Sequence, residues 1–381
     1  MSTFETTQDG ITRRIGTSYL NRPSLYPDDG SMTKDTVVDR YFMHGLAPPE
    51  KFVTKDTPIV AFGSCFAANI SRHLNARGYN VLTKKTSKAH VTQMGDGMVH
   101  THAILQQFEW AWENNFPKAP LWEDYAAEEF GFTEEARLAT KSLFDAAELF
   151  IITLGLSEIW YDEPTGEVFW RVPPRGKIDA SRHKFRVASI SETRANLDSI
   201  HRLIREYNPS AKIVFTVSPI ALAASFRSIS ALSANAASKS ILRAVLDEFL
   251  RDVSPNDAGI FYFPSYDVVK YAFNNQYLPD RRHVNEYVLG FNMTMFEHYY
   301  CSPGIEYEEL AKAFRDAQGR DKHVAENGQA TMAEFVENKE IKRAARIALR
   351  KKARLQRLAE RKLAKKIARK ARAALPDIAA E

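Results

Sequence analysis

The chain has 381 residues, 44% of them apolar and 11% aromatic, enough for one large buried core with further segments attached. Its two cysteines, Cys65 and Cys301, exclude a disulfide framework and point to a reducing compartment. The net charge of +5 hides a segregation: residues 339–381 hold 16 Lys/Arg against 4 Asp/Glu, so the rest of the chain is acidic.

Residues 1–56 are polar, with prolines at 23, 27, 48 and 49, and read as an extension that packs on or leads into the body. They hold no apolar stretch suited to a signal peptide or a membrane span, so a soluble, cytoplasmic protein is expected. Nearly continuous apolar runs then appear at Ile59–Phe62, Leu149–Leu154, Ile213–Val217 and Ile260–Phe263, the pattern of parallel strands buried on both faces. Asn80–Leu82 is a candidate fifth strand. Helical spacing fills the intervals at Ala67–Arg77, His102–Asn115, Glu134–Ala147, Ser191–Tyr207 and Ser230–Val253. Ile159–Tyr161 and Val168–Val172, around Pro164-Thr165-Gly166, read as an inserted β-hairpin whose aromatics either pack on the body or form a carbohydrate or acyl platform.

Alternating strands and helices predict an α/β sandwich with a mostly parallel sheet over residues 57–305. Residues 306–338 are expected as a linker. The 339–381 tail, rich in Ala, Leu, Lys and Arg, is expected to be a basic helix. Such a helix suits an anionic membrane surface, which would place the protein at the inner membrane face, with nucleic acid ranked below. The tail has no aromatic residue, which disfavours both membrane insertion and base stacking, and a solvated, partly helical extension is the competing reading.

Ligands of such folds bind beyond the carboxyl ends of the strands. There the first run breaks into Gly63-Ser64-Cys65, a turn able to project a small nucleophile. Asp280 and His283, three apart, are able to form an orienting pair for a general base. Gly95-Asp96-Gly97 supplies a tight backbone turn near the same edge. Arg281 and Arg282 are either ligands for an anionic substrate group or a solvated pair. His100 and His102 with Asp96 lack a further ligand at metal spacing, so neither a metal nor a cofactor is expected.

Phe62-Gly63-Ser64-Cys65-Phe66-Ala67 resembles the signature of the GSCFA family, supported by Thr153–Trp160, Thr216–Pro219, Tyr262–Tyr266 and Asp280–Asn285. That family is in turn similar to the SGNH, or GDSL-like, hydrolases. The resemblance implies a flavodoxin-like, three-layer α/β/α fold. It also implies ester hydrolysis or O-acyl transfer, often on carbohydrates, through a Gly-x-Ser elbow and an Asp-x-x-His pair. The chain departs from that pattern twice. Cys65 stands where Gly-x-Ser spacing places the serine, so spacing favours Cys65 and like-for-like chemistry favours Ser64. Gly155-Leu156-Ser157-Glu158 stands where the relatives offer an oxyanion-binding Asn, leaving Ser157 as the weaker side-chain donor. A backbone N–H near Gly97 is the alternative donor. The expected substrate is an acylated saccharide or another acyl ester; the competing reading is a non-catalytic saccharide- or partner-binding module of the same fold, tethered by its tail.

Overall fold

The computed structural model describes residues 3–8, 10–16, 24–85, 89–93, 97–115, 133–173, 175–328 and 341. The chain divides into two units, Met1–Asn327 and Gly328–Glu381. The basic helix expected over 339–381 lies outside the described residues, Ile341 apart.

An antiparallel hairpin, β1 (Thr3–Gln8) and β2 (Ile11–Gly16), is followed by the short α1 (Asp29–Met32). β3 (Ile59–Phe62) runs into α2 (Cys65–Ala76), and α3 (His90–Gln93), α4 (Thr101–Glu113) and α5 (Glu134–Asp145) precede β4 (Leu149–Leu154). The antiparallel pair β5 (Glu158–Asp162) and β6 (His183–Val187) comes next, then α6 (Ile190–Tyr207), β7 (Lys212–Val217) and α7 (Ala231–Val253). β8 (Ile260–Tyr262), α8 (Ser265–Tyr271), α9 (Glu286–Tyr300) and α10 (Tyr307–Asn327) complete the unit.

β3, β4, β7 and β8 form one parallel sheet in that order. Alternate residues of its strands face opposite sides, as the two-residue period of a strand requires. Val60, Phe62, Phe150, Ile152 and Phe215 meet apolar residues of α4–α7; Ile59, Ala61, Leu149, Ile151 and Val214 meet those of α2 and α8–α10. A helical layer on each face makes the three-layer α/β/α sandwich.

Three local expectations are corrected. Asn80–Leu82 contributes only a single parallel bridge, Val81 to Ile59, before a 3-10 turn at Leu82–Lys84. That bridge still marks the outer edge and gives the flavodoxin-like order, with the connection reversing between β3 and β4. The inserted hairpin has a different second strand. β5 pairs along its length with β6, whereas Val168 makes one bridge to Tyr161 after the tight turn at Gly166. Finally, part of the expected linker is α10, which buries Leu310 and Phe314 against Phe291 of α9. The N-terminal segment, too, enters the core: Val37, Val38, Phe42 and Met43 are buried, and Val53 bridges to Cys301.

Candidate active site

The turn after β3 requires glycine twice over. Gly63 has φ of +128°, and a Cβ there would lie 2.2 Å from the Thr153 carbonyl oxygen of β4. The tight approach lets β3 turn at once into α2, so the next two residues sit at the sheet's carboxyl edge. Ser64 caps α2, its Oγ accepting from Phe66 N at 3.1 Å, and is buried. Cys65 is the first residue of the helix and half-buried. Gly155 follows β4 and packs against Val99, where an added Cβ would fall 2.9 Å from Val99 Cβ and O, and beside the elbow, 3.4 Å from Ser64 Cβ.

Asp280 and His283 lie in a turn before α9, whose cap is Asn285. Asp280 Oδ1 accepts from the backbone N of Arg282 and of His283, each at 3.0 Å, and Oδ2 meets His283 Nδ1 at 2.5 Å. Burial alone would raise the Asp280 carboxyl; the bonds from His283 and from the two backbone N–H groups outweigh it and hold the carboxyl below its ordinary value. With Nδ1 taken by a carboxylate, the imidazole carries its proton there and presents Nε2 as the remaining ring nitrogen.

A cavity of about 360 Å³ lies at the carboxyl ends of β3, β4 and β7. Of the candidate residues, Ser64, Cys65, Gly97, Gly155 and Glu158 line it; Ser157, Asp280 and His283 do not. Arg282, between the members of the Asp–His pair, does line it, and its Nε donates to Ala221 O and Leu222 O at 3.2 and 3.1 Å. The arginine pair therefore divides: Arg282 is fixed at the cavity, while Arg281 is exposed with φ of +54°. Apolar walls come from Leu156, Ile220 and Leu222, and a three-ring corner joins Trp160, Phe185 and Phe226 with centroids 4.8–5.9 Å apart.

The GSCFA family profile matches residues 58–296, which hold the elbow, the cavity walls and the Asp–His turn. The chain belongs to the GSCFA family. A comparison with curated proteins gave no match.

In this GSCFA protein, donors in the segment after β4 already have partners. The N–H groups of Gly155 and Leu156 donate to Val99 O at 2.7 and 3.0 Å. Both the N–H and the hydroxyl of Ser157 point to Ser238 Oγ on α7, at 2.7 and 3.2 Å. Glu158 is buried and accepts from Ser225 Oγ at 2.8 Å. Gly97 faces the cavity where the Arg171 guanidinium crosses its Cα, and any side chain at 97 would collide with it. Gly95 and Asp96 lie outside the described residues.

His100 accepts from Ala103 N at 3.2 Å and donates from Nε2 to Phe169 O at 3.0 Å; burial pushes it down to about 3, so it is neutral. His102 pairs with Glu192 at 2.9 Å. No metal-ligating group of three appears among the described residues.

Two site residues escape the motif reading. Arg171 lies in an aromatic stretch that draws attention to its tryptophans. Lys239 is 1% exposed and donates to Gly155 O and Ser218 O at 2.6 and 2.7 Å, beneath the cavity. The sequence signal for Lys239 is its place on the apolar stripe of α7, one turn before Leu242 and two before Leu246, where a charge is costly.

Proposed function

We propose that this GSCFA protein is an SGNH-like acyl-ester hydrolase or O-acyltransferase. The observation that carries the reading is the β3–Gly63–α2 elbow, which opens Ser64 and Cys65 into a cavity also walled by Arg282, between Asp280 and His283. In the reaction, His283 Nε2 takes the proton of the nucleophile, Cys65 Sγ or Ser64 Oγ, as the latter attacks the acyl carbonyl carbon. Asp280 retains the Nδ1 proton and stabilises the imidazolium. The bond from the acyl carbon to the leaving oxygen breaks, and that oxygen takes the proton from His283. Water or an acceptor hydroxyl then gives its proton to His283 and attacks the acyl carbon; the bond from that carbon to the nucleophile breaks, and the released nucleophile takes the proton from His283.

The apolar corner of Trp160, Phe185 and Phe226 suits the acyl group, and Arg171 and Arg282 suit a polar or anionic acceptor; an acylated saccharide combines both. The test is intact-mass spectrometry after exposure to activated esters and a fluorophosphonate, on wild type, Ser64→Ala, Cys65→Ala and His283→Ala. A stoichiometric adduct lost with one nucleophile variant and with His283→Ala is the expected result. Its absence in folded wild type removes the acyl-enzyme step.

The second reading, a saccharide- or partner-binding module, draws on the donors of Gly155, Leu156 and Ser157 already having partners. Binding of a carbohydrate ester without any adduct distinguishes it. For the tail, the excess of basic residues over 339–381 supports docking on an anionic membrane surface. No helix among the described residues is long and apolar enough to cross a membrane. Cosedimentation of the full chain with phosphatidylglycerol vesicles but not with phosphatidylcholine vesicles is expected; equal binding to both removes the electrostatic basis.

A further inference from the structure

A lysine ammonium has three N–H donors, and Lys239 gives two of them to the first residues beyond β4 and β7, Gly155 and Ser218. Both residues line the cavity that holds Ser64 and Cys65. No carboxylate among the described residues pairs with this ammonium. A buried cation without a carboxylate is costly, and two neutral carbonyls offset only part of that cost. Gly155, whose carbonyl the ammonium holds at 2.6 Å, lies against Ser64, the residue before Cys65: an added Cβ there would fall 3.4 Å from Ser64 Cβ. Burial draws the ammonium down to about 7, and proximity to Cys65 acts against that fall. Such an interaction is mutual, so the ammonium favours the thiolate by the same electrostatics.

Other features of Cys65 act in the same direction. It opens a helix of 12 residues, whose N-terminal peptide dipoles favour negative charge. Ser64 is differently placed, 4% exposed and with its Oγ already capping the helix. The further charged and titratable groups around the cavity are Arg171 and Arg282, both cationic, Glu158, bonded by Ser225, and the neutral His100. The two arginines add to the positive field that Cys65 experiences, and Glu158 opposes it.

We propose that Lys239 is a positioning residue of this site: its buried charge, fixed on the ends of two strands, holds Cys65 as the thiolate and makes its sulfur, rather than the Ser64 oxygen, the attacking atom. The role in turnover rests on the acyl-transfer reading, whereas the thiolate is a property of the folded protein and is measured without a substrate. With the thiolate formed in advance, its proton resides on His283. The sulfur bonds to the acyl carbon, the bond to the leaving oxygen breaks, and that oxygen takes the proton from His283. In the second half, water or the acceptor hydroxyl returns a proton to His283 as the carbon–sulfur bond breaks. Lys239 takes no part in these proton transfers.

The experiment is the rate of iodoacetamide alkylation at Cys65 between pH 5 and 10, followed by peptide mass spectrometry on the full chain. Wild type is compared with Lys239→Gln, which keeps amide donors for the two carbonyls without the charge, and with Lys239→Arg, which keeps the charge. In wild type the midpoint lies below the ordinary thiol value of about 8.5. In Lys239→Gln it rises by about one pH unit or more, and alkylation near pH 6.5 slows roughly tenfold. Lys239→Arg restores the wild-type profile. A Lys239→Gln profile that superimposes on wild type overturns the proposal, as does a wild-type midpoint at or above about 8.5. Should Lys239→Gln fail to fold, Lys239→Met under the same assay takes its place; if that also fails, the wild-type midpoint decides, below that value for the proposal and otherwise against it. A low, Lys239-dependent midpoint without acyl adducts sustains this inference while removing the acyl-transfer reading, so the two fail separately.

Discussion

Gly63→Ala tests the geometry on which the whole site stands. Alanine at φ of +128° enters a region that L residues rarely adopt, at about 1–3 kcal/mol. Its Cβ would meet Thr153 O at 2.2 Å, Thr153 C at 2.9 Å and Thr153 N at 3.0 Å, all backbone atoms of β4 that no rotamer change can move aside. Relief demands that β3 and β4 part at their carboxyl ends, where Phe62 pairs with Ile152, and such overpacking costs about 1–3 kcal/mol more. The sum is about 2–6 kcal/mol, which at about 2 °C per kcal/mol for a unit of this size lowers the melting temperature by about 4–12 °C. Gly166→Ala is the control. Gly166 has φ of +76° with nothing within 4 Å of an added Cβ, so only the backbone cost of about 1–2 kcal/mol applies. Differential scanning calorimetry and urea unfolding of both variants separate the collision from the backbone cost. If Gly63→Ala is destabilised no more than Gly166→Ala, the close approach of β4 to the elbow is wrong, and so is the reason given for the glycine.

Asp280→Asn keeps acceptors for the backbone N–H groups of Arg282 and His283 but presents an amide to Nδ1, favouring the wrong tautomer. The expected loss in kcat is about 10³–10⁴-fold with KM and melting temperature little changed; a change confined to KM refutes the orienting role. Phe226 is 54% exposed and packs on Trp160 and Phe185, so Phe226→Ala leaves stability within about 1 kcal/mol. For a long-chain acyl ester it raises KM about 5–10-fold without altering kcat, and an effect equal for acetyl and long-chain esters refutes the acyl-corner assignment. Burial pushes His90 down to about 4 and His100 to about 3, both below the ordinary 6.5. The unfolded chain therefore binds more protons once pH falls below about 6.5, and stability is lost from there downward, on the order of a few kcal/mol per histidine by pH 3–4. Urea midpoints that stay flat between pH 7 and 5 contradict this; Glu192, held at about 2 first by its bond from Arg186, and Asp257, at about 2 through Arg205 and His201, add their loss only below about pH 5.

The parts of the fold legible in the sequence are those where a single physical demand acts. Leu149–Leu154 is buried at every position because helices cover both faces, and continuous apolarity is the direct trace of that demand. Helices such as Ile190–Tyr207 are equally plain, since one buried stripe and a Ser189–Glu192 capping box determine them. Val81 failed as a strand because one bridge to Ile59 is all the pairing that the short segment makes before turning. The partner of β5 is hidden from the sequence for another reason. The turn at Gly166 does form, but propensity cannot weigh Val168–Val172 against His183–Val187, and the ladder goes to the more distant segment. At the site, the Asp280–His283 spacing carries its geometry locally, within four residues, so sequence displays it; for Gly63 the sequence displays the turn, but not the approach of Thr153 on β4 that also demands glycine. Lys239 is the opposite case. Its meaning depends on strand ends 84 and 21 residues away, at Gly155 and Ser218, and on the cavity that both line together with Cys65. What the sequence does display is a violation: a charge on the stripe that Leu242, Val245, Leu246 and Phe249 bury. A residue that breaks the pattern of its own helix, and is nonetheless accommodated by the fold, is where chemistry should be sought before any motif is matched.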